Sequence, residues 1–462
     1  MIEINNIEGV YFVGIGGIGM SALAEYCLLK GLVVGGYDRT NSVVTKRLEK
    51  MGAVITYTDE LSAIPSQFME NNGRRMVVYT PAIPGESVIL SFFREKGFPL
   101  YKRSEILETL SASYETVAIA GTHGKTTVST MTSHILKSSG VDCSAFLGGI
   151  SKNYGSNLIM GKSSVAVVEA DEFDRSFHRL SPSHAAITAV DADHLDVYGT
   201  VENMREGYSI FCEKIRGGGT LIINSEVLGK IRIPSWVRCY TYGMDEGANY
   251  RCSNIRFEKG VYFMDLSTPN GLLRDVEFDF PGYTNLSNFT AAAALALCCG
   301  ATVEGIRLAG RTFMGVRRRF DIRVNRPGLT YMDDYAHHPK EIKACIASLL
   351  GYFGERKITG VFQPHLFSRT KDHAAGFAEA LDQLDEVILL PIYPAREKPI
   401  EGVTSELILE KMKMPNKRLL KKEELVDWLE PSRLDVLVTI GAGDIDALVA
   451  PIEEKLKNWK GI

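Results

Sequence analysis

The stretch IAGTHGKTTVST at residues 119–130 sets Gly121 and Gly124 ahead of Lys125, Thr126 and Thr127. It lies between a Val/Ala/Ile run and a helix-like segment. A lysine and a hydroxyl residue behind glycines, where a strand gives way to a helix, can bind phosphate. Backbone N–H groups at the helix start point at an anion, the ammonium reaches the β- and γ-phosphates, and the hydroxyl ligates Mg²⁺. The spacing differs from the common G-x-x-x-x-G-K-[ST], because Ile119 holds the place of its first glycine. The stretch still predicts a nucleotide site on Gly121, Thr122, His123, Gly124, Lys125, Thr126 and Thr127.

Acidic partners follow. SVAVVEADEFD places Glu169 at the carboxyl end of an apolar run, and AAITAVDADHLD places Asp191, Asp193, His194 and Asp196 at the end of another. Ligands of open parallel sheets bind at the carboxyl ends of the strands, so the loop, Glu169 and His194 are expected to converge. Hard oxygen ligands suit Mg²⁺. Near the N-terminus, Gly14, Gly16 and Gly19 keep G-x-G-x-x-G spacing around Gly17, and Asp38 ends the next apolar run. That pattern usually binds NAD or FAD, but it provides only a diphosphate pocket, and a UDP-sugar also carries a diphosphate. Farther on, DDYAHHP (333–339) and QPHLFSRT (363–370) gather Asp334, His337, His338, His365 and Arg369 after strands. The guanidinium fork of arginine suits carboxylates and phosphates. Histidine pairs such as His337 and His338 are as often structural, and RRRF (317–320) and GAGDI (441–445) have equally plain readings as a basic hinge and a strand–helix turn.

These residues need elements to hold them. The 462 residues suggest roughly three domains of about 150 residues each. Three successive strand–helix patterns predict an α/β chain. A Rossmann-like domain is expected at 1–106, a central P-loop ATPase-type α/β domain at 107–316, and a second Rossmann-like α/β domain at 317–462. Near-continuous Val/Ile/Ala strands in the centre fit a parallel sheet covered on both faces. A turn-rich piece at about 240–280 reads as a small antiparallel insertion. An Ala-rich helix follows it, with Ser287 or Asn288 as its expected cap. A net charge of −4 without a long basic run argues against nucleic acid. Eight scattered cysteines without C-x-x-C fit reduced thiols in a cytoplasmic protein. MIEINN has neither the cationic start nor the apolar core of a signal peptide, and AAAALALCC is too short to span a bilayer, so no membrane partner is expected.

With these residues assembled, the chain resembles the Mur ligases, ATP-dependent amino-acid ligases of peptidoglycan synthesis. GTHGKTT, EADE, DADHLDVYG, NLSN, RRRF, DDYAHHP and QPHLFSRT occur in the expected order over essentially the whole chain. GIGGIGMSALAE together with GTHGKTT and DDYAHHP is closest to the alanine-adding branch. The resemblance implies UDP-N-acetylmuramate on the first domain, at Gly14, Gly16, Gly17, Gly19 and Asp38, ATP on the second, and L-alanine on the third. It implies that Lys125 binds phosphate, that Thr126 and Glu169 hold one Mg²⁺ (or Mn²⁺) and His194 a second. Asn288 and Arg319 would contact ATP, with Asp334 near its ribose. His365 and Arg369 would face the forming acyl phosphate and the amino acid. The protein would be a monomer or weak dimer. Several members use a carbamylated lysine about fifteen residues after the metal-binding histidine; Ser209 stands there instead, as the alanine-adding branch implies. The nearest alternative is a murein tripeptide ligase. A folylpolyglutamate-type ligase would lack the first domain. An NAD-dependent oxidoreductase would leave the ATP site unexplained, and a non-catalytic UDP-sugar-binding regulator would leave Lys125, Glu169 and His194 without a use.

Overall fold

Short runs rich in Val, Ile and Ala, each closed by Gly or Asp and followed by a helical stretch, leave few topologies but parallel sheets with covering helices. The computed structural model has three such sheets and describes residues 6–173, 175–192, 195–395 and 397–460, without the side chains of 195 and 196. Two compact units divide it: residues 1–256 with 262–278 and 287–314, and residues 315–462 with 257–261 and 279–286.

The first unit holds two sheets. The N-terminal one has five parallel strands in the order Val54–Thr56, Val33–Tyr37, Gly9–Val13, Arg75–Tyr79, Leu100–Lys102. The order reverses beside Gly9–Val13, the switch point at which such sheets bind ligands. The segment 98–107 contains a three-residue strand, Leu100–Lys102, and then the start of a helix, Arg103–Ala112. Arg103 is thereby placed at a helix start.

The central sheet has ten strands. Its middle runs Thr220–Asn224, His184–Ile187, Glu115–Ala120, Val165–Glu169 and Ser144–Ser151, all neighbours being parallel. Every residue of the first three past its opening position is buried except Asn224. The expected antiparallel piece is the pair Val261–Thr268 and Gly271–Phe278, which prolongs one edge of this sheet. At the other edge Ser144–Ser151 pairs antiparallel with Ser156–Ile159, a hairpin that the sequence did not signal. The Ala-rich helix spans Thr284–Cys298, so neither Ser287 nor Asn288 caps it: both lie inside its first turns. The stretch PGYTNLSN supplies enough local turn structure for the helix to begin earlier than its apolar run.

In the second unit the strand order is Asp321–Arg326, Leu329–Asp334, Val436–Ile440, Ile358–Phe362, Glu386–Leu389, Lys417–Leu419. Only the first pair is antiparallel. All eight cysteines are free thiols. Among the described residues no helix is long and apolar enough to cross a membrane.

Candidate active site

Strand Glu115–Ala120 delivers the chain to the phosphate loop, and helix Lys125–Ser138 leaves it. Ile119 is fully buried in the strand, which is why a side chain is accepted where the common motif has glycine. The two glycines that are present have no substitute. Gly121 has φ +133°, and a Cβ there would lie 2.1 Å from Thr188 Oγ1. Gly124 has φ +81°, and its Cβ would lie 2.9 Å from Asn288 Oδ1. Gly124 is also the helix N-cap and has no side chain with which to cover the first-turn N–H groups.

The strand ending at Ile187 braces this loop. Thr122 N–H donates to the Ala189 carbonyl at 3.0 Å, Asp191 N–H donates to Thr122 Oγ1 at 3.2 Å, and the Thr188 hydroxyl donates to the His123 carbonyl. His123 Nε2 stands 3.5 Å from Asp191 Oδ2. Lys125 Nζ donates to the Gly121 carbonyl at 2.6 Å and to Glu172 Oε1 at 2.7 Å. Burial disfavours the Lys125 charge, but Glu172, Glu169 and Asp171 outweigh it, and its pKa lies above the ordinary value. Glu172 is 1% exposed; burial pushes its carboxyl up, and the Lys125 ammonium opposes that shift. The 2.7 Å separation is that of an ion pair.

Glu169 ends its strand with the carboxylate against Gly148, whose N–H donates to Oε2 at 3.1 Å. A Cβ on Gly148 would come within 2.3 Å of that carboxylate. Glu169, Asp171 and Arg103 line one cleft. The structure thus brings together the loop, Glu169 and Asn288. The predicted ligand His194, with Asp193, lies outside the described residues, as does the side chain of Asp196. Ser209 lies buried in helix Val201–Glu213, where its hydroxyl donates to the Arg205 carbonyl at 3.0 Å.

Gly14, Gly16 and Gly17 form the turn between Gly9–Val13 and helix Ile18–Leu29, and Gly19 lies in the first turn of that helix. Gly14 has φ +91°, and a Cβ on Gly16 would lie 2.8 Å from Asp38 Oδ2. Asp38 shapes the turn directly: it accepts Gly16 N–H at 2.8 Å and Thr40 N–H at 3.0 Å. A Cβ on Gly19 would meet Arg103 Nη1 at 3.0 Å, and Arg103 Nη2 is 3.6 Å from Asp171 Oδ2. Arg103 therefore spans from the first glycine loop to the acidic segment behind Glu169. The hairpin missed in the sequence docks the two: Asn157 Nδ2 donates to the Ile18 carbonyl and Ser21 Oγ, and Ser156 Oγ donates to Glu25.

In the second unit, Asp334 is 8% exposed, and its carboxylate accepts Phe320 N–H at 2.7 Å and Ala336 N–H at 2.8 Å. Burial raises its pKa, opposed by Arg319. Arg319 stacks over Tyr335, 4.9 Å from the ring centroid. Arg318 Nε donates to Asp333 Oδ2 at 3.1 Å, so RRRF is a folded corner, not a solvated hinge. His338 caps helix Pro339–Phe353 by accepting from Lys340 N–H, a structural role. His337 Nδ1 is 3.3 Å from Glu341 Oε2 and 3.1 Å from the Tyr335 carbonyl. Burial lowers the His337 pKa, and the charges of Arg369 and Arg319 act on it in the same direction. His365 packs on Tyr393 with His337 nearby, at centroid distances of 5.7 and 6.1 Å. Arg319, Asp334, His337, His365 and Arg369 thus form one cluster. Arg318 (φ +63°), Phe320 (φ +48°) and Leu366 (φ +71°) border it in a left-handed conformation that costs roughly 1–3 kcal/mol per non-glycine residue, the kind of strain that gathers at functional sites.

Burial, followed by the charges of His337 and Arg369, lowers the His365 pKa to about 4. The ring is neutral at pH 7. Because the folded pKa lies below the ordinary histidine value of about 6.5, protonation favours the unfolded chain. Its contribution to stability is full above about pH 6.5 and is lost as pH falls toward 4. Imidazole ¹⁵N shifts of His365 should stay those of a neutral ring at pH 6; a midpoint near 6.5 would contradict the burial.

Three family models cover the chain: a Mur ligase family catalytic domain at 9–115, a Mur ligase middle domain at 119–296 and a Mur ligase glutamate ligase domain at 318–443. UDP-N-acetylmuramate–L-alanine ligase of Parabacteroides distasonis is 47% identical over 456 residues, 98% of each chain. The protein of the same name from Phocaeicola vulgatus is 46% identical over 453 residues, again 98% of each. Among solved structures, a UDP-N-acetylmuramate–alanine ligase from Thermotoga maritima superposes with a TM-score of 0.82 at 26% identity, over 97% of this chain and 99% of that one. A murein peptide ligase from Psychrobacter arcticus shares the fold, with a TM-score of 0.71 at 19% identity over 98% and 100%. With a phosphate loop whose odd spacing the strand itself explains, and with relatives this close along its whole length, the chain belongs to the Mur ligase family.

Proposed function

We propose that the protein joins L-alanine to the lactyl carboxylate of UDP-N-acetylmuramate at the expense of ATP, giving UDP-N-acetylmuramoyl-L-alanine, ADP and phosphate. The observation that carries this reading is full-length identity of 46–47% to ligases of that name. The phosphate loop with its ion-paired lysine supports it. A carboxylate does not react with an amine at neutral pH, because its oxygen is a poor leaving group. Transfer of the γ-phosphoryl group to that oxygen makes an acyl phosphate and releases ADP. The alanine nitrogen then attacks the carbonyl carbon, loses a proton, and the tetrahedral intermediate collapses with departure of phosphate. Such catalysis is mainly positioning and charge neutralisation.

Lys125 would exchange its two present partners, Glu172 and the Gly121 carbonyl, for phosphate oxygens. The first-turn N–H groups of its helix supply further donors. Thr126 and Glu169, a hydroxyl and a carboxylate close to Lys125, fit the hard-oxygen donor set of Mg²⁺, which when bound would offset phosphate charge. His194 is proposed for a second ion. Asn288, Arg319 and Asp334 are assigned to ATP, and His365 and Arg369 to the acyl phosphate and the amino acid. Neutral His365 can accept a hydrogen bond or a proton there. We place the reaction in the cytoplasm, where ATP is available.

Phosphate release from ATP should require UDP-N-acetylmuramate and alanine together. Release with L-alanyl-γ-D-glutamyl-diaminopimelate instead would make the enzyme a murein peptide ligase. The first glycine loop is assigned to the UDP diphosphate. Gly16→Val would push a side chain into Asp38 and Thr45, whose atoms already lie 2.8 and 2.9 Å from a modest Cβ. The KM for UDP-N-acetylmuramate should rise at least about tenfold, with that for ATP little changed, as fits loss of close backbone approach to a diphosphate. Equal effects on both constants would count against the assignment.

A further inference from the structure

The carboxyl ends of the central strands carry the phosphate loop, and their amino ends carry a second cluster that ligation does not use. Glu115 opens strand Glu115–Ala120, and His184 opens the neighbouring strand His184–Ile187. Cys299 directly follows helix Thr284–Cys298. One ligand atom from each of the three lies within 4.8 Å of the other two. His184 Nε2 stands 3.2 Å from Glu115 Oε1. The His184 ring is buried, and its Nδ1 has no hydrogen-bond partner among the described residues. The Glu115 side chain is 41% exposed, which opens the cluster to solvent. We propose that Glu115, His184 and Cys299 form a binding site for a thiophilic divalent cation of the zinc class, about one strand length (roughly 17 Å) from the phosphate loop.

The donor set selects the cation. Sulfur and imidazole nitrogen favour zinc over magnesium or calcium, and three protein ligands leave a fourth tetrahedral position for water. With bonds of about 2.0–2.3 Å, ligand atoms around zinc stand about 3.3–3.6 Å apart. The observed cluster needs to close by about an ångström, within reach of side-chain rotation at a solvent-facing edge. Charge balances as well. Binding would displace the thiol proton to solvent, and thiolate and carboxylate together would neutralise the ion. Without metal, burial pushes the Cys299 thiol up and disfavours the charged form of His184; with its proton on Nδ1, the neutral ring presents the Nε2 lone pair on the side of Glu115. Arg238 is the positive charge acting on His184, but its guanidinium is turned onto the Gly218 carbonyl at 3.1 and 2.7 Å. A bound ion would fasten two central strands to the last turn of the helix that carries Asn288.

Cobalt reports the site directly. Titrating the metal-free full chain with Co²⁺ should give a thiolate-to-cobalt charge-transfer band saturating near one ion per chain, as for a mononuclear site. Zinc should displace it and raise the melting temperature as a ligand of the folded state. The band should vanish in Cys299→Ser and His184→Gln. It should survive in Cys298→Ser, which tests the neighbouring thiol, and in Glu169→Gln, which tests the ATP-site metal. Absence of the band from the wild-type protein at saturating cobalt would overturn the proposal without recourse to any variant. So would its persistence in folded Cys299→Ser, and the three residues would then be an ordinary buried His–Glu pair beside a thiol.

Discussion

Lys125→Ala is expected to abolish ligation, and in doing so to expose a second property of the site. The ammonium would meet phosphate charge as it shifts during phosphoryl transfer. Loss of one such electrostatic donor costs about 10²-fold or more in rate. Before nucleotide arrives, however, Lys125 also neutralises Glu172, whose side chain is 1% exposed. Truncating one member of a buried ion pair leaves the other without compensation, typically at about 3–5 kcal/mol. The variant should therefore be less stable as well as inactive. The sign with pH follows from burial: without Lys125 the Glu172 carboxyl is raised still further above its unfolded value. Its folded form is protonated at low pH, so the stability defect is small in acid and grows as pH rises through the ordinary glutamate range and beyond. Adding Glu172→Gln to Lys125→Ala should restore much of the melting temperature at neutral pH while leaving turnover absent. Thermal scans at several pH values and phosphate release then separate the two roles. A folded single variant with near-normal turnover would remove Lys125 from the phosphate site.

The residues legible in the sequence are those whose constraint is local. Gly121, Gly124 and Lys125 were readable because a tight turn before a helix demands glycine at fixed offsets, and Gly14, Gly16 and Asp38 because one turn and one strand end hold them. The core strands were readable from their unbroken apolar runs. What stayed hidden depends on distant pairing. Glu172 sits in the quoted EADE, yet only the fold shows that this second glutamate, and not Glu169, holds Lys125. Arg103 belongs to no motif, and its approach to Gly19 and Asp171 joins parts of the chain more than sixty residues apart. The Ser144–Ser151 and Ser156–Ile159 hairpin has too little alternation to announce itself, and its polar Ser156 and Asn157 make sense only against Glu25, Ser21 and the Ile18 carbonyl. Arg318 and Arg319 are neighbours in a basic run, but only the fold shows both guanidinium groups over Tyr335, with the left-handed Arg318 also bonded to Asp333.

Glu169→Gln should collapse turnover for a different reason from Lys125→Ala. An amide keeps the size of the side chain and an oxygen to accept Gly148 N–H, so the close approach of Gly148 survives. What disappears is one negative charge, and with it a hard ligand that a magnesium ion prefers. Outer-shell changes at metal sites already cost about 10–100-fold in metal affinity or activity, so replacing a direct ligand should raise the magnesium requirement at least about tenfold. Lys125 loses one of the carboxylates that hold its pKa up, yet keeps Glu172, the larger influence, and stays charged. Stability should therefore change little, which distinguishes this variant from Lys125→Ala. The decisive measurement is initial rate against free Mg²⁺ at saturating ATP, with melting temperature as the control for folding. A curve displaced to higher magnesium with a depressed plateau fits direct ligation by Glu169. A curve that overlays the wild type would reduce Glu169 to a prop for Gly148 and require the metal to be held by other carboxylates near Lys125, Asp171 first among them.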